Sequence, residues 1–390
     1  MSALNGRAVP SLYVHVPFCA RKCAYCAFYS EAPSPQAVRR YLGALLRELE
    51  WVAPELELET VFFGGGTPSL LSLSQWEQVL EQMERLDLLG AREWTVECNP
   101  ATVSLDKARL WRDWGINRVS LGVQSLDEAL LQRLGRIHSR QMASHSYDLL
   151  RRAGFDNINL DLMFAIPGQS LEVWRRTLEE AMAMQSEHLA CYEVTYEEDT
   201  PLFAQLRAGR LAVDEDLACA MYDELVAQAA GHGLVQYEVA NFGRHTGALE
   251  PAEEIPARAC RHNVNYWQGG FYHGLGPSAA GYVDQVRTRN WSNTAIYCRE
   301  VEAGRRPIQT EDRLSPLQRA GEVAAFGLRM TRGWRFDRFQ AVTGFDLRTH
   351  WRREMDQLEA DGWGRAWADR FELTPLGRRF ADAAGLLFLR

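Results

Sequence analysis

The chain has 390 residues, 46% of them apolar and 24% charged, with a net charge of −8. This is the composition of a globular protein long enough for one large α/β barrel and a smaller domain. An acidic chain without a basic surplus is not built as a whole for nucleic acid, and eight cysteines in this length are not a disulfide framework.

Six apolar, β-rich segments alternate with longer helical patterns. Strands are expected at 12–16, 60–63, 94–98, 118–123, 157–162 and 189–195. Helices are expected at 37–52, 74–85, 105–114, 139–152, 171–184 and 214–232. Such repetition predicts a parallel sheet. Six units suggest a partial (β/α)6 barrel, with an open doubly wound sheet as the alternative. A short strand at 236–241 follows, then a stretch with few structural signals at 242–258. Residues 262–282 are aromatic and Gly-rich, and 303–316 read as a charged linker. Beyond it, 317–330, 335–343 and 347–361 look helical, 365–373 looks like a hairpin, and Thr374 caps a last helix at 375–384. That order resembles a winged helix. The expected domains are 1–235, 236–302 and 303–390. Residues 1–7 lack an apolar signal core and no apolar run is long enough to span a bilayer, so a cytoplasmic location is expected.

The first strand leads into Phe18-Cys-Ala-Arg-Lys-Cys-Ala-Tyr-Cys-Ala-Phe28. The C-x3-C-x2-C spacing holds Cys19, Cys23 and Cys26 too close together for disulfides. A [4Fe–4S] cluster normally takes four thiolates, so three leave one iron open for chemistry. The competing reading is a structural zinc site that borrows His15 or a distant cysteine. Cys98, Cys191, Cys219, Cys260 and Cys298 are scattered and read as buried or incidental.

In parallel barrels the chemistry sits at the C-terminal ends of the strands. Here each expected strand ends in a polar or Gly-rich feature. These are the cysteine loop, Gly64-Gly65-Gly66-Thr67-Pro68-Ser69, Glu97, Gln124 with Ser125, Asp161 and Thr195. Each also has a structural reading. The glycines could form only a tight turn, since neither a dinucleotide fingerprint nor a P-loop is present. Glu97 and Asp161 could be structural acids. Arg136 and His138 could lie in a solvated loop, although the planar fork of Arg136 suits a carboxylate.

These residues match a known family. Tyr13-Val-His-Val-Pro-Phe-Cys19, the glycine motif, Gly122-Val-Gln-Ser125, Leu134-Gly-Arg136 and Asp161-Leu-Met163 with Ile166-Pro-Gly168 resemble the HemN/HemW branch of the radical S-adenosylmethionine (SAM) proteins. So do His188-Leu-Ala-Cys-Tyr-Glu-Val194 and Tyr237-Glu-Val-Ala-Asn-Phe242. The likeness runs from Tyr13 to the C-terminal helical segment. It implies a TIM-like radical SAM barrel with a smaller, mostly helical, winged-helix-like C-terminal domain. It implies that Cys19, Cys23 and Cys26 hold the cluster and that SAM chelates the open iron. It places Tyr13, Tyr25, Gly65, Gly66, Thr67, Glu97, Gln124, Arg136 and Asp161 near SAM, with Thr195 at the same mouth. An electron from a flavodoxin- or ferredoxin-type donor would cleave SAM to methionine and a 5′-deoxyadenosyl radical.

Two activities compete within this branch. HemN-type enzymes decarboxylate coproporphyrinogen III to protoporphyrinogen IX. HemW-type proteins bind heme and deliver it to apo-haemoproteins. Three features resemble the second type. The oxidases carry a fourth cysteine two residues after the third, where this chain has Phe28. They carry a long N-terminal extension, where this chain has 18 residues before Cys19. The run His262-Asn-Val-Asn-Tyr-Trp267 matches the H-N-x-x-Y-W motif, which implies that His262, Asn263, Tyr266 and Trp267 meet heme as cargo. Residue physics alone favours a structural reading, in which His262 and Asn263 tie down a loop while Tyr266 and Trp267 pack in the core; the family match reverses that preference. Ala280 stands where relatives usually carry His, and 243–259 is longer than usual. Arg332, Arg335, Arg338, Arg348, Arg352 and Arg353 could form a basic face for anionic membrane or propionates, or a solvated surface. A homodimer is compatible with the sequence.

Overall fold

The structure is a computed structural model that describes residues 8–245 and 255–390. Two compact units interleave along the chain. The first takes residues up to Ser186, Cys191–Met221 and Phe271–Glu311, and the second takes Glu187–Ala190, Tyr222–Gly270 and Asp312–Arg390. The sequence blocks 1–235, 236–302 and 303–390 cut across this division. Of the stretch 243–259, residues 246–254 lie outside the described residues.

In the first unit, β1 (Val9–Val16), β2 (Leu56–Gly65), β3 (Glu93–Cys98), β4 (Arg118–Gln124) and β5 (Ile158–Phe164) lie side by side in chain order, all parallel. β6 (His188–Glu193) contributes its last residues to this unit. Strand order without a reversal point is that of a barrel, not of a doubly wound sheet. A short strand, His273–Leu275, pairs parallel on the other side of β1. The expected (β/α)6 alternation is therefore present. The intervening helices are α1 (Pro35–Val52), α2 (Leu73–Arg85), α3 (Leu105–Asp113), α4 (Glu128–Leu134), α5 (Arg140–Arg152) and α6 (Leu171–Ala183), followed by α7 (Pro201–Arg207) and α8 (Glu215–Gly231). Ser34, Ser72, Ser104, Asp127, Ser139 and Ser170 each accept a first-turn N–H at the start of α1 to α6. Each such cap is worth ~1 kcal/mol and fixes where the loop ends.

Successive side chains of a strand face opposite ways. One register is apolar: Leu12, Val14, Val61, Phe63, Trp94, Val96, Val119, Leu121, Ile158 and Leu160 are all buried. Trp76, Trp111 and Trp174 of α2, α3 and α6 are fully buried, and Trp76 meets Phe63 at 5.1 Å. The other register is polar: Ser11, Tyr13 and His15; Thr60; Glu93, Thr95 and Glu97; Arg118 and Ser120; Asn159 and Asp161. Its members bond one another across strands. The Thr60 hydroxyl donates to Ser11 Oγ at 2.9 Å, and Asn159 Nδ2 donates to Ser120 Oγ at 2.7 Å. A parallel barrel strand is usually apolar on both faces, whereas here one face is polar and hydrogen-bonded across strands.

The second unit contains a hairpin, β7 (Leu234–Gln236) and β8 (Asn241–Arg244), where one strand at 236–241 is expected. The buried Glu238 carboxylate turns the chain: it accepts from the Ala240 N–H at 2.8 Å and from Asn241 Nδ2 at 2.5 Å. α9 (Arg261–Trp267) follows. The C-terminal part runs helix Pro316–Gly327, strand Trp334–Arg335, helices Phe336–Thr343, Leu347–His350 and Arg352–Ala360, then the hairpin Gly364–Ala366 and Arg370–Leu373. That is winged-helix order, packed around Trp334, Phe339, Trp351, Leu358, Phe371 and Phe388. The helix expected at 347–361 breaks at Trp351, whose ring is fully buried and whose indole N–H donates to the Phe388 carbonyl at 2.9 Å. The last helix is likewise two pieces, with Thr374 accepting from the Gly377 N–H at 3.0 Å. The linker expected at 303–316 contains a strand, Ile308–Arg313.

Candidate functional site

The cysteine loop between β1 and α1 is tied down at several points. Cys19 N–H donates to the Glu31 carbonyl at 3.0 Å, and Ala24 N–H donates to the Leu134 carbonyl at 2.9 Å. His15 holds the far side of the loop. Its Nε2 lies 2.9 Å from the Tyr29 carbonyl, and its Nδ1 lies 3.1 Å from the Tyr13 hydroxyl. Burial lowers its pKa to about 4, so the ring is neutral. A carbonyl only accepts, so Nε2 carries the proton and Nδ1 accepts from Tyr13. Both nitrogens are engaged, and the zinc reading loses the histidine it would borrow.

Cys19, Cys23 and Cys26 are partly exposed; of the scattered cysteines Cys98, Cys191, Cys260 and Cys298 are buried, and Cys219 is partly exposed. Burial raises the Cys26 thiol pKa against a backbone hydrogen bond at Phe28, and the charges of Cys23 and Cys19 raise it further. A thiol held back from ionising in this way is one that a cationic centre beside it would favour as thiolate. Among the described residues, no three His, Cys, Asp or Glu side chains are gathered as ligands of a single metal ion.

β2 delivers the glycines beside this loop. Gly65 has φ +99°, and a Cβ there would lie 2.4 Å from the His15 ring. Its N–H donates to Glu97 Oε2 at 3.1 Å. Gly66 N–H donates to the Val16 carbonyl at 2.8 Å, and the Thr67 hydroxyl lies 3.4 Å from Cys19 Sγ. The glycine run thus joins Cys19 to the carboxylate at the end of β3. Burial, then the Asp161 charge, raises Glu97 to about 8, against the Gly65 N–H and Arg118.

β4 and β5 supply the opposite side. Gln124 ends β4 with φ +65°, a conformation that non-glycine residues rarely adopt. Arg136 donates through Nη2 to the Gly122 carbonyl at 2.7 Å and reaches Cys23 Sγ through Nη1 at 3.5 Å. Gly122 admits this approach, since a Cβ there would lie 3.3 Å from Arg136 Nη2. Arg136 also lies against the Tyr25 hydroxyl. Its Nε is buried without a partner, as is His138 Nδ1. His138 is itself buried, so the 136–138 segment is not a solvated loop. The neutral His138 ring donates through Nε2 to the Val123 carbonyl at 3.1 Å, so its Nδ1 is an acceptor, while the orphaned Arg136 Nε is a donor that suits an anionic group. Asp161 is held by Ser120 Oγ at 3.0 Å and by Asn159 Nδ2 at 2.7 Å. Burial raises it to about 6 against those bonds and the Arg118 and Arg136 charges.

The cysteines, Tyr13, Tyr25, Gly65, Gly66, Thr67, Glu97, Gln124, Arg136 and Asp161 therefore all lie on the C-terminal side of one sheet. Thr195 is exposed, and among the described residues no hydrogen bond ties it to them. Sequence reasoning missed Arg118, fully buried below the mouth with its charge acting on both carboxylates. Its signal was available: Arg118, Ser120, Gly122 and Gln124 alternate on one face of β4.

Residues 13–181 match the radical SAM superfamily, and residues 314–380 match the HemN C-terminal domain. A heme chaperone HemW from Lactococcus lactis is 34% identical over 85% of this chain and 84% of its own length. The heme chaperone HemW from Escherichia coli is 32% identical over 97% of this chain and 98% of its own. This chain belongs to the HemW family. Membership of the radical SAM superfamily implies a [4Fe–4S] cluster and SAM. A mouse member, radical S-adenosyl methionine domain-containing protein 1, mitochondrial, is 36% identical over 96% of this chain and 83% of its own. The solved coproporphyrinogen III oxidase HemN from Escherichia coli has the same fold, with a TM-score of 0.82 at 20% identity over 98% of this chain and 90% of its own.

The H-N-x-x-Y-W motif of this HemW family member lies in the second unit as α9. Spacing of four residues pairs His262 with Tyr266 and Asn263 with Trp267 on the helix surface. His262 is buried, with Nε2 2.7 Å from the Tyr266 hydroxyl. Trp267 lies 6.2 Å from Phe326 and carries the Arg329 guanidinium 5.0 Å over its ring. Much of the expected basic face is neutralised: Arg335 pairs with Asp337 and Asp369, Arg348 with Asp346, and Arg352 with Asp356. Among the described residues, no helix is long and apolar enough to cross a membrane.

Proposed function

We propose that this protein is a cytoplasmic heme chaperone that binds heme and hands it to apo-haemoproteins, with a [4Fe–4S] cluster and SAM held in the first unit. Phe28 carries the reading: it is 68% exposed, two residues past Cys26, where the oxidases carry a fourth cysteine. The names of the HemW relatives support it.

Cys19, Cys23 and Cys26 would hold the cluster, and His15 positions their loop through the Tyr29 carbonyl. The unpartnered Arg136 Nε offers a donor to the SAM carboxylate, and the neutral His138 ring, which donates through Nε2 to the Val123 carbonyl, leaves Nδ1 as an acceptor for the SAM amino group. Gly65, Gly66 and Thr67 would border the methionine end. Glu97 and Asp161 would accept from the amino group and ribose hydroxyls, with Gln124, Tyr13 and Tyr25 completing the wall. When bound, the cluster and SAM would supply one-electron reductive chemistry, fed by a flavodoxin- or ferredoxin-type donor. In the second unit, His262 would ligate the heme iron, with Asn263, Tyr266 and Trp267 around the porphyrin.

The test is anaerobic turnover of the reconstituted protein with coproporphyrinogen III, SAM and a reductant, beside an active oxidase control. A hemin titration with transfer to an apo-haemoprotein accompanies it. Hemin binding and transfer without decarboxylation is the expected result. Substrate-dependent protoporphyrinogen formation would replace the chaperone reading with an oxidase.

A further inference from the structure

Heme is a flat apolar disc with two carboxylates on one edge. A protein that carries it needs an aromatic surface and cationic donors beside that surface. The second unit has this combination at the C-terminal end of α9. Trp267 and Phe326 lie 6.2 Å apart, and Phe326 is 45% exposed. Helix Pro316–Gly327 buries Ala320, Val323, Ala324 and Gly327, at helical spacing. Phe326 is off that stripe, so the fold of this unit does not require an aromatic there.

Cations gather around the same point. Arg329 lies 5.0 Å over Trp267, donates through Nη1 to Asp382 at 2.8 Å, and faces Glu238 through Nε at 3.6 Å. The Asp382 side chain is 91% exposed, so that pair is in water and is weak. Arg338, on helix Phe336–Thr343, donates through Nη2 to Gln268 Oε1 at 3.2 Å. Arg319 Nη2 lies 3.5 Å from the Gly269 carbonyl. Three arginines therefore converge on the three residues that end the motif helix and begin the next turn. Arg338 meets a neutral amide there, which leaves most of its five donors for an anion. Arginine suits this task because its fork binds a carboxylate through two parallel bonds.

We propose that Arg338 and Arg329 receive the propionate carboxylates of the porphyrin, with Trp267 and Phe326 as the apolar floor beside them. This rests on the heme reading above. It adds the part of heme that is recognised: the propionate edge, read by the winged-helix region rather than by the motif alone.

The experiment titrates the full-length protein with hemin and with hemin dimethyl ester, whose carboxylates are blocked. Native protein, Arg338→Gln, Arg338→Lys, Arg329→Gln and the control Arg365→Gln are compared. Native protein is expected to bind hemin about tenfold more tightly than the diester. Arg338→Gln should remove most of that preference and leave diester binding unchanged; Arg329→Gln also unpairs the buried Glu238 carboxylate, so its preference is read only after circular dichroism shows the fold retained, and should then fall likewise. Arg338→Lys should keep part of it, and Arg365→Gln all of it. Equal affinity of native protein for hemin and its diester would overturn the proposal while leaving the heme reading intact. So would undiminished preference in both glutamine variants. Native protein that binds neither probe would overturn the heme reading, and the proposal with it.

Discussion

His262 Nε2 lies 2.7 Å from the Tyr266 hydroxyl, one helical turn away, and the two rings meet edge to face at 4.8 Å. The nitrogen best suited to bind iron is thus engaged by a neighbour in the same motif. Ligation through it requires that bond to break. Tyr266→Phe removes the competing hydroxyl and keeps the ring. Hemin affinity is expected to rise about two- to tenfold, the worth of one hydrogen bond of about 0.5–1.5 kcal/mol. A Soret titration measures it, and a fall in affinity would show that the hydroxyl itself serves heme.

His262→Ala should lower hemin affinity and change the axial-ligand absorption bands. An unchanged spectrum and stoichiometry would place the iron on another ligand.

Cys23→Ala removes one of three thiols and the acceptor that Arg136 Nη1 reaches at 3.5 Å. Iron and sulfide content after anaerobic reconstitution should fall to background, with the fold retained by circular dichroism. Full cluster absorption would move the ligand assignment elsewhere.

Gly65→Ala places a methyl 2.4 Å from the His15 ring at a φ of +99°. The strain alone costs on the order of 1–3 kcal/mol. A lower Tm and lost SAM binding by equilibrium dialysis are expected. Because His15 also holds the cysteine loop, cluster occupancy should fall with them.

Glu97 is raised from its ordinary 4.5 to about 8, so the folded protein holds a proton there that the unfolded chain gives up. The stability from this group is fully present below pH 4.5 and is lost as pH rises through about 8. Glu97→Gln should therefore flatten the decline of Tm between those limits in SAM-free protein. A slope equal to that of the native protein would assign the decline to other groups.

Much of the barrel was legible because its signals are local. Alternation and strand-end polar residues each leave a mark within a few positions. The carboxylate pair and the cysteine loop were found that way. What escaped depended on distant contacts. Glu238 turns a hairpin where the local pattern reads as one strand, and Trp351 breaks a helix to reach the Phe388 carbonyl. Phe326 and Arg329 lie far along the chain from Trp267, so periodicity could not bring them together.

The neighbours of β1 have a consequence for synthesis. On one side it pairs with β2, which follows soon after, and on the other with His273–Leu275. A ribosome adding about 5–20 residues per second needs on the order of tens of seconds to reach that second partner. Throughout that time the far side of the first strand has unpaired backbone groups, open to other nascent chains. Truncated or stalled products ending before His273 should therefore aggregate more readily than the full-length chain, in a sedimentation assay of the released products.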